Sequence, residues 1–185
     1  FHGKEERDLA GRYVCPGFID SHLHLESTLV TPAELVTAAS RHGTTTFIVD
    51  PHESANVSGL AGIDYILDQT EDVKANVYVM MPSCVPATAI DDNGCTLTAE
   101  DMVPYLHNSR ILGLGEVMDS ISVVQGEKSM HDKLELFEGR IRDGHAPFLE
   151  EGDLQAYAMA GIATDHECSF FDYAMRERRN GLTIL

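Results

Sequence analysis

Short apolar runs alternate with stretches of helical period along almost the whole chain, and this alternation restricts the possible folds more than any other feature. Residues 14–20 (VCPGFID), 44–50 (TTTFIVD), 75–81 (ANVYVMM) and 111–117 (ILGLGEV) carry the β-branched and aliphatic content of strands. Shorter strands are predicted at 142–145, 161–165 and 182–185. Between them lie helices. Thr31 reads as an N-cap, with Pro32 at the first helical position, Glu34 in the first turn and Gly43 as the stop. Residues 56–70 place Leu60, Ile63, Ile66 and Leu67 on one stripe, and Thr98 caps a further helix. Helices are also predicted over 130–140, 152–160 and 170–180.

Strands separated by helices pair in parallel, because the crossover needs the intervening helix. An open doubly wound sheet and a closed eightfold barrel both satisfy that rule. The 172 residues from 14 to 185 correspond to about five and a half units of roughly 31 residues each. The barrel reading is therefore an α/β, incomplete (β/α)8 barrel of TIM type, holding strands one to six and the start of seven. Residues 1–13 are polar and read as a connector, and residues 14–185 as the partial barrel.

Composition narrows the function. The chain has 13 basic and 30 acidic residues among 185, a formal charge of −17. That excludes the clustered Lys and Arg needed for a nucleic-acid or anionic-membrane surface. No apolar run approaches a membrane span, and no signal peptide opens the sequence. It starts at Phe1 rather than Met, so the natural start is expected upstream. The four cysteines have neither disulfide-framework nor zinc-finger spacing, which points to a reducing cytoplasm.

The chemistry gathers at strand ends. His22 and His24 stand two apart at the end of the first predicted strand. His52 and Glu53 follow the second, Glu116 lies in the fourth, His145 closes the fifth, and His166 with Glu167 follows the sixth. Strand C-termini are where α/β folds keep their sites. His22, His24, Glu116, His145 and His166 together predict a metal cluster, and imidazole mixed with carboxylate suits two cations sharing a bridging ligand. His2, His42, His107 and His131 fall in predicted tails or helices and read as surface residues. The glycines at 113 and 115 lack the third glycine of a dinucleotide loop, and no Pro-Cys-x-x-Cys accompanies His24-Leu25-Glu26, as a zinc nucleobase deaminase requires.

The segment PGFIDSHLH (16–24) resembles the metal-binding signature of the amidohydrolase superfamily. HLES (24–27), GTTT (43–46), DPHESANV (50–57), GLGEVM (113–118), DGHAP (143–147) and TDHEC (164–168) make the chain similar, more narrowly, to the bacterial-type adenine deaminases. The resemblance runs from about Gly11 to the end. It implies a barrel beside a small β-sandwich built from both chain ends, of which residues 1–13 would be a remnant. It implies deamination of adenine to hypoxanthine and ammonia by attack of a metal-activated hydroxide at C6. The implied cofactor is a binuclear divalent centre, manganese or iron, with zinc as an alternative. His22 and His24 would hold the inner metal, Glu116 would bridge, and His145 and His166 would hold the second. Glu53 is a candidate for holding the ring or assisting protonation, or else for bracing the helix near Asn56, and His52 is a candidate substrate contact. The superfamily's proton-shuttling aspartate follows strand eight, so it is expected beyond Leu185, and the chain reads as a fragment. The implied partners are a purine and further copies of the same chain. Two alternatives stay open: another amidohydrolase reaction on a cyclic amide or imide, and an inactive metal-binding fragment.

Overall fold

The structure is a computed structural model that describes residues 2–185. Its strands are β1 (Phe18–Leu23), β2 (Thr44–Val49), β3 (Asn76–Met81), β4 (Ile111–Val117), β5 (Ile141–Gly144), β6 (Thr164–Asp165) and β7 (Thr183–Ile184). The helices are α1 (Pro32–Ser40), α2 (His52–Ser58), α3 (Leu60–Gln69), α4 (Ala99–Met102), α5 (Ser120–Gln125), α6 (Lys128–Leu136), α7 (Glu151–Met159) and α8 (Phe171–Arg179).

The first five strands form one parallel sheet in the order β1-β2-β3-β4-β5. A doubly wound sheet reverses strand order at a switch point, and this order never reverses. Strands β6 and β7 pair in parallel, and the Ala163 amide donates to the Arg142 carbonyl at 3.0 Å, so the progression continues past β5. Curvature decides the rest. Four strand spacings would set β1 and β5 about 19 Å apart in a flat sheet, yet His22 of β1 bonds Asp143 of β5 at 2.9 Å. The sheet therefore curls into a half-barrel, with strand C-termini converging at one mouth.

The core lies between the curled sheet and its outer helices. Phe47, Val49, Val79, Leu114 and Val117 pack in one cluster with Ile63, Ile66 and Leu67 of α3 and Leu134 of α6. Each such side chain contributes about 1.5–3 kcal/mol by leaving water. Among the described residues, no helix is long and apolar enough to cross a membrane.

Several boundaries differ from the sequence reading. Strand β1 begins at Phe18 rather than Val14. Pro16 has no N–H to donate, Gly17 lies so close to Thr45 that a Cβ would stand 2.2 Å from its hydroxyl, and the ladder starts where the Phe18 amide meets the Gly43 carbonyl at 2.8 Å. His22 thus lies inside the strand and His24 just beyond it. The helix predicted over 56–70 is two helices, parted at Gly59, whose φ of 63° is left-handed. The first begins at His52 because the Glu26 carboxylate accepts from the Glu53 and Ser54 amides at 3.1 Å each, a cap supplied from another loop. Helix α5 was absent from the sequence reading, although Asp119 caps it through the Ser122 amide and Gly126 closes it.

Candidate metal centre

Glu116 stands at the centre of the mouth. It is the sixth residue of β4, and its neighbour Gly115 is required there, since a Cβ would stand 2.2 Å from Asp50 Oδ2. That same oxygen accepts from the Glu116 amide at 2.7 Å and so fixes the backbone. The two carboxylate oxygens face different partners. Oε1 lies 3.3 Å from His24 Nε2 and 2.9 Å from His52 Nδ1. Oε2 lies 2.9 Å from His145 Nδ1 and 3.2 Å from His166 Nε2.

On the Oε1 side, both β1 histidines are oriented through Nδ1. His24 Nδ1 bonds the Asp50 carbonyl at 2.8 Å, and His22 Nδ1 bonds the Asp143 carboxylate at 2.9 Å. A carbonyl only accepts, so His24 donates from Nδ1, and in the neutral ring Nε2 is then the nitrogen with the lone pair. Beside Asp143, the same assignment holds for His22. The two Nε2 atoms then face each other 3.1 Å apart. On the other side, the His166 ring stacks on His22 with centroids 3.5 Å apart, and its Nδ1 is 3.7 Å from Asp143 Oδ2.

Burial makes these charges interdependent. Burial favours a neutral Glu116, but hydrogen bonds from His145 and His166 and the charge of nearby His52 outweigh it and hold the carboxyl well below its usual range. Asp143 is likewise opposed by burial and drawn down to about 2 by bonds from His166, His22 and Thr164. Burial favours a neutral His166, yet Asp143 and Glu116 push it up to about 10. Burial first, and then the charge of Glu116, push Asp50 well above the ordinary range.

The donor set fits a pair of divalent cations. His22, His24 and Glu116 offer ligand atoms within 4.8 Å of one another, and so do Glu116, His145 and His166. Facing imidazole lone pairs repel unless a cation lies near them. Glu116 Oε1 is buried without an aligned hydrogen-bond donor, an orphan that a cation would satisfy. Mixed imidazole and carboxylate suits manganese, iron or zinc.

The structure thus gathers all five residues of the predicted cluster. His52 joins them through Glu116, from the first turn of α2. Glu53 does not; it is exposed, and its carboxylate accepts from the Ser27 hydroxyl at 2.5 Å. His2, His42 and His107 are exposed as read, whereas His131 is half-buried and bonded to the Val123 carbonyl at 2.9 Å. Sequence reasoning missed Asp50 and Asp143. Their signal was an acid closing or interrupting a strand whose inner face is buried. A cavity of about 560 Å³ opens beside His145, lined by Met118, Ile121, Pro147 and Leu149 with the hydroxyl residues Thr88 and Ser120.

The chain is similar to known proteins. The model of the Amidohydrolase family matches residues 13–181. The chain is 60% identical over 185 residues to an adenine deaminase of Desulfitobacterium hafniense (strain Y51), covering all of this chain and 32% of that protein. It is 46% identical over 186 residues to an adenine deaminase of Clostridium acetobutylicum, covering all of this chain and 33% of that protein. An adenine deaminase of Methanoculleus marisnigri is 45% identical over 185 residues, with 35% of its length covered. The chain therefore spans about a third of the length of the curated relatives it matches.

Proposed function

The chain belongs to the amidohydrolase family, and from that premise we propose that it carries the metal centre of an enzyme that hydrolyses adenine to hypoxanthine and ammonia. The observation that carries the reading is Glu116, whose two oxygens face two separate groups of histidines. The names of the relatives supply the substrate class.

His22 and His24 would hold the inner cation, His145 and His166 would hold the second, and Glu116 would serve both. The favoured metals are manganese and iron. Such a pair supplies activation of water near neutral pH and charge stabilisation during attack. The protein's own groups do the rest. Asp143 and the Asp50 carbonyl fix the rings of His22 and His24, so both Nε2 atoms point inward. The apolar cavity beside His145 receives the flat face of the purine, and the nearby hydroxyls meet its ring nitrogens. His52, whose Nδ1 lies 2.9 Å from Glu116 Oε1, contacts the substrate in this reading. Glu53, exposed beside it, assists proton delivery to the leaving amine. Four free cysteines accord with a cytoplasmic setting, and the family resemblance suggests a homo-oligomer.

The test is ammonia release from adenine by the full-length protein loaded with Mn(II), beside the His22→Ala/His24→Ala double variant. Release that disappears in the variant is expected. A folded, loaded protein that releases none overturns the adenine assignment.

A further inference from the structure

Tyr157 lies in α7 with its side chain fully buried. Its hydroxyl donates to the Val117 carbonyl at 2.5 Å and accepts from the His145 amide at 3.0 Å. These backbone groups flank the metal centre: Val117 follows Glu116 at the end of β4, and His145 follows the end of β5. The β4–β5 register is irregular between Leu114 and Val117. An irregular ladder leaves N–H and C=O groups without strand partners, and burying them unpaired is costly. One phenol oxygen satisfies both. Gly144 leaves the room, since a Cβ there would stand 3.2 Å from that hydroxyl and 2.3 Å from the Thr164 carbonyl.

The geometry points to Tyr157 as a positioning residue that aims His145 at Glu116 Oε2 and so governs the second cation position rather than the first. This rests on the metal-centre reading above. The rings of His22 and His24 are each fixed by an acceptor at Nδ1. His145 spends its Nδ1 on Glu116, and no hydrogen bond among the described residues reaches its other ring nitrogen. Its ring is therefore aimed by its backbone, and Tyr157 holds that backbone to β4. Among the described residues, no hydrogen bond of Tyr157 reaches β1, so its hold acts on one side of the centre.

Tyr157→Phe keeps the ring and removes both bonds. The full-length protein is stripped with a chelator and titrated with Mn(II), with uptake followed by calorimetry and the coupling of the two ions by electron paramagnetic resonance. The wild type takes up two equivalents. The variant binds the first as the wild type does and the second about 10–100-fold more weakly, the usual effect of losing a group that orients a ligand. Tyr105→Phe, which loses a phenol bond to Asp64 away from the mouth, leaves both unchanged. Equal weakening of both positions, or of neither, overturns the inference while leaving the metal centre standing. A wild type that takes up no cation overturns the metal-centre reading and this inference with it. Should the variant not fold, amide exchange in the wild type decides: a His145 amide slowed at least 100-fold is expected, and an unprotected one overturns the inference.

Discussion

The two sides of the metal centre are built differently. On the β1 side, His22 in the strand and His24 just past its end stand two residues apart, and acceptors at Nδ1 aim both rings. On the far side, His145 and His166 come from separate strand ends, and the backbone is fastened instead. Tyr157 pins His145, Asp165 Oδ1 accepts from the Ala146 amide at 2.6 Å, and the Tyr173 hydroxyl donates to the Ala146 carbonyl and accepts from the Leu149 amide. Contiguous ligands need only ring orientation, because one strand already fixes their spacing. Ligands from different strands need their loops tied down, and each tie comes from another element.

Glu116 is where the two sides meet, and its loss has the largest effect. If Glu116 serves both positions as proposed, Glu116→Ala removes a ligand from each, and cation uptake should fall below one equivalent. Activity should drop about 10³-fold or more, the several kcal/mol that a metal pair supplies. Retention of one tightly held cation would show that the sides do not share this residue. Asp143 is the next point of contact, facing both His22 and His166. Asp143→Asn should weaken both positions by about 10–100-fold in a Mn(II) titration, where a change on one side alone would break the symmetry of its role.

The far side also carries a buried titrating group away from the cluster itself. Glu177 on α8 is fully buried, and neither carboxylate oxygen has a hydrogen-bond partner. It lies four residues after Tyr173 and so shares that face of the helix. Burial first, and the Asp165 charge next, push its carboxyl up to about 7. A carboxyl whose folded pKa exceeds its unfolded value stabilises the fold while protonated. Its contribution is whole below about 4.5 and is lost as pH rises through 7. Urea unfolding should show stability falling by on the order of 1–2 kcal/mol between pH 5 and 8. In Glu177→Gln that slope should flatten. A slope unchanged by the substitution would detach Glu177 from the stability of this side.

The same asymmetry sets what the sequence could reveal. The β1 pair and its follow-on residues were legible because spacing within one strand is local information. Strand order and parallel pairing were legible because alternation of strands and helices admits few alternatives. The choice between open sheet and barrel was not, since curvature appears only when His22 and Asp143 meet across five strands. Nor was α2, because its cap, Glu26, comes from another loop. Asp50, Asp143 and Tyr157 act through contacts that no local pattern encodes: Asp50 on Glu116 across 66 positions, Asp143 on His22 across 121 and on Thr164 across 21, and Tyr157 on His145 across 12 and on Val117 across 40.

The smallest effect tests how far local legibility extends on the well-read β1 side. Thr31 and Thr98 both read as helix caps. At Thr98 the hydroxyl accepts from the Asp101 amide at 3.4 Å, and the Asp101 carboxylate answers at the Thr98 amide at 2.8 Å, a complete capping box. At Thr31 the backbone is extended as a cap requires, yet the hydroxyl makes no capping bond, and Pro32 has already removed one orphan N–H. Thr98→Ala should therefore cost about 1 kcal/mol. Thr31→Ala should be close to neutral in the same unfolding experiment. Equal losses would mean that the Thr31 hydroxyl caps α1 in solution, and that the sequence signal, taken alone, was sufficient on that side.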